Sequence, residues 1–109
     1  MRYLTLEQRE SLKKALESRA AQLRDEVDED RKTDLNELTE VAALERDVLE
    51  LRQVEAALER LHEPDFGLCG DCGVEIPFVR LQAAPIVTRC VVCEERHEAA
   101  SGARHRATL

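Results

Sequence analysis

Four cysteines constrain this chain more than any other feature of its sequence. They are its only cysteines, and they follow the spacing C-x2-C-x17-C-x2-C: Cys69, Cys72, Cys90 and Cys93. Zn²⁺ prefers four tetrahedral thiolate ligands, and each C-x2-C turn presents two sulfurs to one side of a metal. The loop between the two pairs has the length found in zinc modules. The spacing therefore predicts one structural Zn²⁺ held by these four residues.

Other uses of paired cysteines are disfavoured. A thioredoxin-like redox pair requires a βαβ pattern beside one C-x2-C, and none is visible. Disulfides require an oxidising compartment, but residues 1–30 contain no apolar segment typical of a secretory signal. His97 could replace one cysteine as a ligand, but four thiolates already complete a tetrahedron. Such a closed site has no position for a reactive water, and no catalytic constellation is visible, so we do not expect an enzyme.

The first 64 residues predict two amphipathic helices. Thr5 and Gln8 match a capping box, which begins the first helix. Apolar residues then recur at three- and four-residue steps, which places them on one face of a helix: Leu12, Leu16, Ala20, Leu23 and Val27.

The second helix is expected to begin at Asp34 as N-cap and to end near His62, before Pro64. Its apolar seam has heptad-like spacing with one three-residue stammer: Val41, Leu44, Val48, Leu51, Val54, Leu58 and Leu61. Two such helices joined by a short polar link predict an antiparallel coiled-coil hairpin.

The expected fold is mostly α-helical. It consists of the coiled-coil hairpin (residues 1–64), a small four-cysteine zinc-finger module (residues 65–98) that includes the start of a short C-terminal helix, and a flexible tail (residues 99–109). Within the zinc-finger module, we expect short strands at 74–77 and 86–89, one helical turn at 78–81, and the last helix from 92 to about 100.

Composition excludes several partners. The net charge is −7 and aromatic residues make up 3% of the chain, whereas binding to free nucleic acid needs basic patches and stacking aromatic rings. We therefore expect no sequence-specific DNA binding. No apolar segment approaches the ~20 residues that span a membrane. We expect a cytoplasmic monomer without a membrane partner.

The link between the two predicted helices is strongly acidic. Residues 25–37 contain seven acidic and two basic residues, and we call residues 25–34 the acidic tip. Acidic side chains near the C-terminal end of a helix are destabilising because the helix dipole favours cations there. A solvated charged turn is the alternative, but the unfavourable placement favours a functional role toward a cation or a basic partner. Carboxylates could bind Mg²⁺ or pair with Arg and Lys of a channel.

Three segments resemble the DksA/TraR family of bacterial RNA polymerase regulators. They are DFGLCGDCGVEIP at 65–77, RLQAAP at 80–85 and CVVC at 90–93. The resemblance implies a transcription regulator that binds RNA polymerase directly and inserts its coiled coil into the secondary channel to modulate initiation. The family's tip motif, D-x-x-D-x-A, is matched at Asp25 and Asp28, whereas Asp30 stands in place of the alanine. These three residues are the candidates for partner binding at the tip.

The resemblance leaves other functions to consider. Longer family members respond to ppGpp through basic residues, but here Glu94 and Glu95 follow the last cysteine, so we expect weak or no ppGpp binding at that surface. The tip carboxylates could instead supply a ligand to Mg²⁺ in polymerase and stimulate transcript cleavage. A third hypothesis is a structural protein that associates with itself through the helical seam.

Overall fold

The computed structural model describes residues 2–32 and 38–107, with side chains at 2–32 and 40–101. These residues form four helices: α1 (Leu6–Lys32), α2 (Leu38–Arg60), α3 (Phe78–Ala83) and α4 (Val91–Ala107). α1 and α2 are antiparallel, because Arg9 near the start of α1 contacts Leu61 just beyond the end of α2. The mostly helical fold, with a hairpin and a small cysteine-containing module, is confirmed. No helix among the described residues has both the length and the apolar character needed to cross a bilayer.

The beginning of α1 and its packing face follow the sequence prediction. The Thr5 backbone N–H donates to Gln8 Oε1 at 2.9 Å, and the Gln8 backbone N–H donates to Thr5 Oγ1 at 3.0 Å. This reciprocal pair is the predicted capping box. All five residues of the predicted apolar stripe are buried: Leu12, Leu16, Ala20, Leu23 and Val27.

The seam of α2 is buried less uniformly than predicted, since five of its seven residues are half-buried: Val41, Leu44, Val48, Leu51 and Leu58. Val54 and Leu61 are buried as predicted, but Ala57 is fully buried, whereas Leu58 is only half-buried. A straight helix advances about 100° per residue, so the residues three and four positions after Val54, Ala57 and Leu58, both lie near the inner face. The smaller Ala57 occupies the inner position, and α1 can approach closely there.

Two helix ends lie beyond their predicted positions. α1 continues through the acidic run to Lys32, because Glu, Arg and Lys are good helix formers and no Gly or Pro interrupts them. α4 continues to Ala107, seven residues beyond its predicted end near residue 100. The predicted N-cap Asp34 lies outside the described residues. The predictions of a flexible tail at 99–109 and of the segment boundaries stay predictions.

The two short strands expected in the zinc-finger module do not form. Residues 67–69 and 74–76 instead bond to each other around the first cysteine pair, with Cys69 N–H donating to Val74 O at 2.7 Å and Ile76 N–H donating to Gly67 O at 2.8 Å. Only an isolated bridge, between Leu68 and Glu75, is assigned among the described residues. The backbone groups of Val74 and Ile76 thus bond to the turn around the first cysteine pair and not to a second strand. The predicted helical turn at 78–81 is confirmed as α3.

An ion pair joins the two hairpin helices. The Arg19 Nε and Nη2 atoms donate to the two Glu50 carboxylate oxygens at 2.6 and 2.8 Å. This hydrogen bond to Arg19 lowers the pKa of Glu50 below its ordinary value of 4.5. The unfolded chain therefore binds a proton at Glu50 more readily than the folded chain does. The stabilisation is present above about pH 4.5 and is lost as the pH falls through the lowered pKa.

Glu50→Gln is expected to reduce the free energy of unfolding by about 0.5 kcal/mol at pH 7, because both partners are partly exposed. At pH 3 the difference from wild type should shrink. Urea unfolding at the two pH values measures both quantities. Glu59→Gln, an exposed position on α2, is the matched control. A difference from wild type that grows toward low pH would contradict the assigned ion pair.

Gly67 connects the hairpin to the zinc-finger module through a conformation that favours glycine. Its φ is +97°, and a Cβ atom there would lie 3.2 Å from side-chain atoms of both Tyr3 and Leu4. Gly67→Ala is therefore expected to destabilise the fold by about 1–3 kcal/mol, measured by thermal or urea unfolding. Gly73→Ala is a useful control, because Gly73 also has a positive φ of +80° but open space around its Cβ position. Equal effects at the two positions would show that the contact with Tyr3 and Leu4 is unimportant.

Candidate metal centre

The fold brings the four cysteines together. Their Sγ atoms all lie within 4.8 Å of one another, and the Cys72 and Cys90 sulfurs are 3.8 Å apart. A tetrahedron with Zn–S bonds of ~2.3 Å has edges of about 3.8 Å. The donor set and its spacing therefore fit one structural Zn²⁺, as predicted. His97 does not belong to this sulfur cluster.

Backbone hydrogen bonds position both cysteine pairs. The first pair lies on a tight turn in which Gly73 N–H donates to Cys69 O at 2.9 Å. The second pair begins α4, where Cys90 precedes the first turn and Cys93 lies within it. Gly70 N–H donates to Thr88 O at 2.8 Å, which joins the two turns. Each pair is thus held by its own local structure, and one backbone bond sets the distance between them.

The thiols are chemically unequal. Hydrogen bonds from the backbone of Cys72, and then of Cys90, lower the pKa of Cys69 to about 6. The neighbouring Cys90 thiol, and then burial, raise the pKa of Cys93 to about 12. Four thiolates within 4.8 Å of one another repel, so full ionisation of the cluster needs a compensating charge. A bound cation supplies the compensating charge, and its binding releases protons from the thiols.

The metal centre belongs to the core of the molecule. Cys69 and Cys93 are 3% and 5% exposed, and they join one buried cluster with Phe66, Ile76 and Leu81 of the module. The same cluster includes the inner residues of α1 and α2. Since the site is closed by four thiols and buried on one side, its chemistry is structural: it holds the module on the base of the hairpin.

An arginine network, which the sequence reasoning missed, surrounds the centre. Arg89 Nε donates to Asp71 Oδ2 at 3.0 Å, and its Nη1 lies 3.6 Å from Glu94 Oε2. The hydrogen bond to Asp71 is the largest cause that raises the pKa of Arg89. Arg89 Nη2 also lies 3.1 Å from His97 Nε2. The network links the first cysteine turn to α4. The sequence does contain a signal for this network, since Asp71, Arg89 and Glu94 each lie next to a cysteine.

One side of the centre faces solvent. A cavity of about 320 Å³ adjoins it, and its lining includes Cys72, Cys93, Arg96 and His97. Cys72 is exposed, whereas Cys69 is buried. His97 lies on α4, where its Nε2 faces Arg89.

The acidic candidates lie far from this centre. Asp25 and Asp28 are exposed in the last turns of α1, and Asp30 is half-buried. Along the α1 axis, Asp28 is about 28 Å from Arg9, which lies at the base of the hairpin. The structure thus separates Asp25 and Asp28, near the end of α1, from the metal ligands, which belong to the module at the base of the hairpin.

The longer α1 corrects one part of the electrostatic argument. The last turn of α1 contains Arg31 and Lys32, and the dipole effect is confined to that turn. Asp25 and Asp28 therefore lie outside its range. The remaining cost is repulsion between like charges three and four residues apart, which contributes a few tenths of a kcal/mol for each pair.

Comparisons with known proteins agree with this architecture. The profile of the prokaryotic dksA/traR C4-type zinc finger matches residues 64–99. The protein named RNA polymerase-binding transcription factor DksA from Salmonella typhimurium is 34% identical, over 84% of this chain and 72% of the relative.

Two solved structures share the fold. Transcription factor DksA2 from Pseudomonas aeruginosa superposes with a TM-score of 0.78 at 24% identity, over 91% of this chain and 89% of that one. The RNA polymerase binding protein and transcriptional regulator Dks from Chlamydia trachomatis gives 0.61 at 29% identity, over 89% and 94%. The identity with the Salmonella relative, together with the zinc-finger match, shows that the chain belongs to the DksA/TraR C4-type zinc-finger family.

Proposed function

We propose that this chain is a transcription regulator that binds RNA polymerase directly. In this proposal the coiled-coil hairpin enters the secondary channel, and the carboxylates of Asp25 and Asp28, with Asp30 beside them, act near the catalytic site to modulate initiation. The four cysteines, Cys69, Cys72, Cys90 and Cys93, are the proposed zinc ligands and have no catalytic role. A partner of this class places the chain in the bacterial cytoplasm.

The observation that carries the proposal is the exposed pair Asp25 and Asp28 near the end of a narrow antiparallel hairpin. Residues at i and i+3 lie on the same face of a helix, so the two carboxylates point in a similar direction. Val27 between them is buried at 5% exposure, which orients the two acids away from the seam. A partner with Arg or Lys side chains can reach both carboxylates at once.

The base of the molecule supports the same function. The zinc-finger module shares one buried core with the hairpin, so a contact between polymerase and the module would also orient α1 and α2. The name of the Salmonella relative states that it binds RNA polymerase. The net charge of −7 argues against direct DNA binding, because phosphate contacts need basic residues.

Binding and cross-linking to purified core RNA polymerase test the proposal. A photoreactive residue at Ala21, an exposed position on α1, should cross-link to the walls of the secondary channel. The same residue at Ala99, an exposed position on α4, should cross-link outside the channel. A lack of binding, or cross-links from both positions to the outer surface only, would contradict the proposed insertion.

The same preparation separates the alternative functions. Cleavage of the nascent transcript in stalled complexes would show that the tip serves as a Mg²⁺-binding cleavage helper. A dimer in dilute solution without polymerase binding would favour self-association. We propose that neither occurs and that the chain acts as a monomer.

Weak or absent ppGpp binding forms part of the proposal. Glu95 is exposed, and Glu94 lies beside Arg89 at 3.6 Å. The Arg89 guanidinium is therefore already shared with Glu94 and Asp71, and it offers little attraction for a polyphosphate. Calorimetric titration of the complex with polymerase measures ppGpp affinity. Micromolar binding of ppGpp to this complex would contradict this part.

A further inference from the structure

A buried arginine interrupts the apolar face of α1. Arg9 lies three residues before Leu12 and so continues the stripe toward the N-terminus, where an apolar residue would be expected. Its exposure is 5%, comparable to that of the leucines beside it. It is the only charged residue that is buried among the described side chains.

The contacts of Arg9 converge on the link between α2 and the zinc-finger module. Arg9 Nη1 donates to Leu61 O, and also to Glu63 O at 3.2 Å. Its guanidinium carbon lies 5.9 Å from the centroid of the Phe66 ring. All three partners belong to the segment 61–66, where the chain leaves α2 and turns back along the hairpin.

This arrangement is costly for a buried cation. Arg9 Nε and Nη2 are buried without a hydrogen-bond partner among the described residues, and no carboxylate there forms an ion pair with Arg9. Burial, and then the nearby Arg2, lower its pKa. The carbonyls at the end of α2 and the face of Phe66 compensate only part of the lost hydration. An apolar side chain of similar length would suit the stripe better, since replacing buried charges in this way is often neutral or stabilising.

We propose that Arg9 is a positioning residue that selects one orientation of the zinc-finger module relative to the hairpin. An apolar seam alone allows neighbouring registers of similar energy, and a single polar residue in such a seam can select one of them at a cost in stability. The Leu61 carbonyl ends α2, but the Glu63 carbonyl and the Phe66 ring meet the guanidinium only when the link folds back as it does here. Every other orientation leaves the buried charge without these acceptors. The inference deepens the proposed function, since a base and a tip that contact one partner must hold a constant geometry.

Arg9→Met tests this inference on the free, zinc-loaded chain. Pulsed electron spin resonance measures the distance between labels on keto amino acids at Glu45 and Val79, exposed positions on α2 and α3. This chemistry avoids the zinc thiols. Wild type should show one narrow distance distribution. In Arg9→Met, a second population should rise about tenfold or more, to roughly one molecule in ten, while Tm stays equal to that of wild type or increases.

Lys14→Met is the matched control, because it removes a cation from an exposed position of the same helix, and it should keep the narrow distribution. A narrow distribution in Arg9→Met would overturn the inference, whether Tm falls or not. If Arg9→Met does not fold, Arg9→Gln decides, since its amide nitrogen lies two bonds short of the position of Nη1, the atom that donates to both carbonyls. A broad distribution then supports the inference and a narrow one rejects it. Since polymerase is absent, the result does not depend on the proposed function.

Discussion

Removal of zinc is expected to unfold the zinc-finger module and to lower Tm of the whole chain sharply. Structural zinc sites contribute apparent binding free energies of about 10–16 kcal/mol in zinc-finger peptides, which exceeds the stability of a domain of this size. Cys69, Cys93 and Phe66 belong to the core that also packs α1 against α2. Loss of the module therefore exposes the base of the hairpin to water. A chelator titration followed by circular dichroism and zinc analysis measures the effect.

Cys69→Ser should reproduce the loss without a chelator, with no zinc retained after purification. Val74→Ser is the matched control, because Val74 lies in the same turn but is 51% exposed; it should retain one zinc ion per chain. Zinc release should also follow acidification, since protons compete with the metal for the thiolates. An apo chain with the Tm and the circular dichroism spectrum of the zinc-loaded chain would contradict the structural role of the metal.

Changing Asp25 and Asp28 together to Asn is expected to remove most of the chain's effect on transcription without loss of folding. A hydrogen bond to a charged group contributes about 1.5–3 kcal/mol, so losing one such contact reduces the effect about tenfold or more. The variant should keep the stability of wild type within a few tenths of a kcal/mol, because it removes the like-charge pair of Asp25 and Asp28 but also the favourable spacing of Asp28 to Arg31 and Lys32. Transcription from a ribosomal-type promoter, with polymerase binding measured in parallel, separates activity from affinity.

The control for the tip is Glu10→Gln with Glu17→Gln. It makes the same charge change at exposed positions of α1 nearer the base and should preserve the effect. Asp30→Ala supplies the alanine of the family motif and reports how Asp30 changes the strength of the effect. If the double Asn variant and wild type change transcription equally, the carboxylates of the acidic tip have no role in regulation.

The sequence was most informative where chemistry or periodicity is local. The capping box at Thr5 and Gln8 needs only four adjacent residues, and the stripe from Leu12 to Val27 needs only the period of a helix. The cysteine spacing predicted the zinc centre because two C-x2-C turns allow few other arrangements. The resemblance of three segments to the DksA/TraR family agrees with the relatives that the comparisons found.

The errors arose where the sequence allows two local structures of similar energy. Residues 74–77 have the composition of a strand, but their hydrogen bonds go to the turn around Cys69. Leu58 is more apolar than Ala57, yet the close approach of α1 selects the smaller side chain for the inner position. The acidic run that begins at Asp25 was assigned to the link between the helices, although it continues α1 to Lys32.

By itself, the sequence determined the metal, the two-helix hairpin and the negative charge near its end, because each depends on residue types at short spacing. Only the tertiary structure decided how the module joins the hairpin. Arg9 meets the carbonyls of Leu61 and Glu63 across more than fifty residues of sequence, and Arg89 joins Asp71 to Glu94. Such contacts depend on how separate elements meet in space, and no local pattern specifies that meeting.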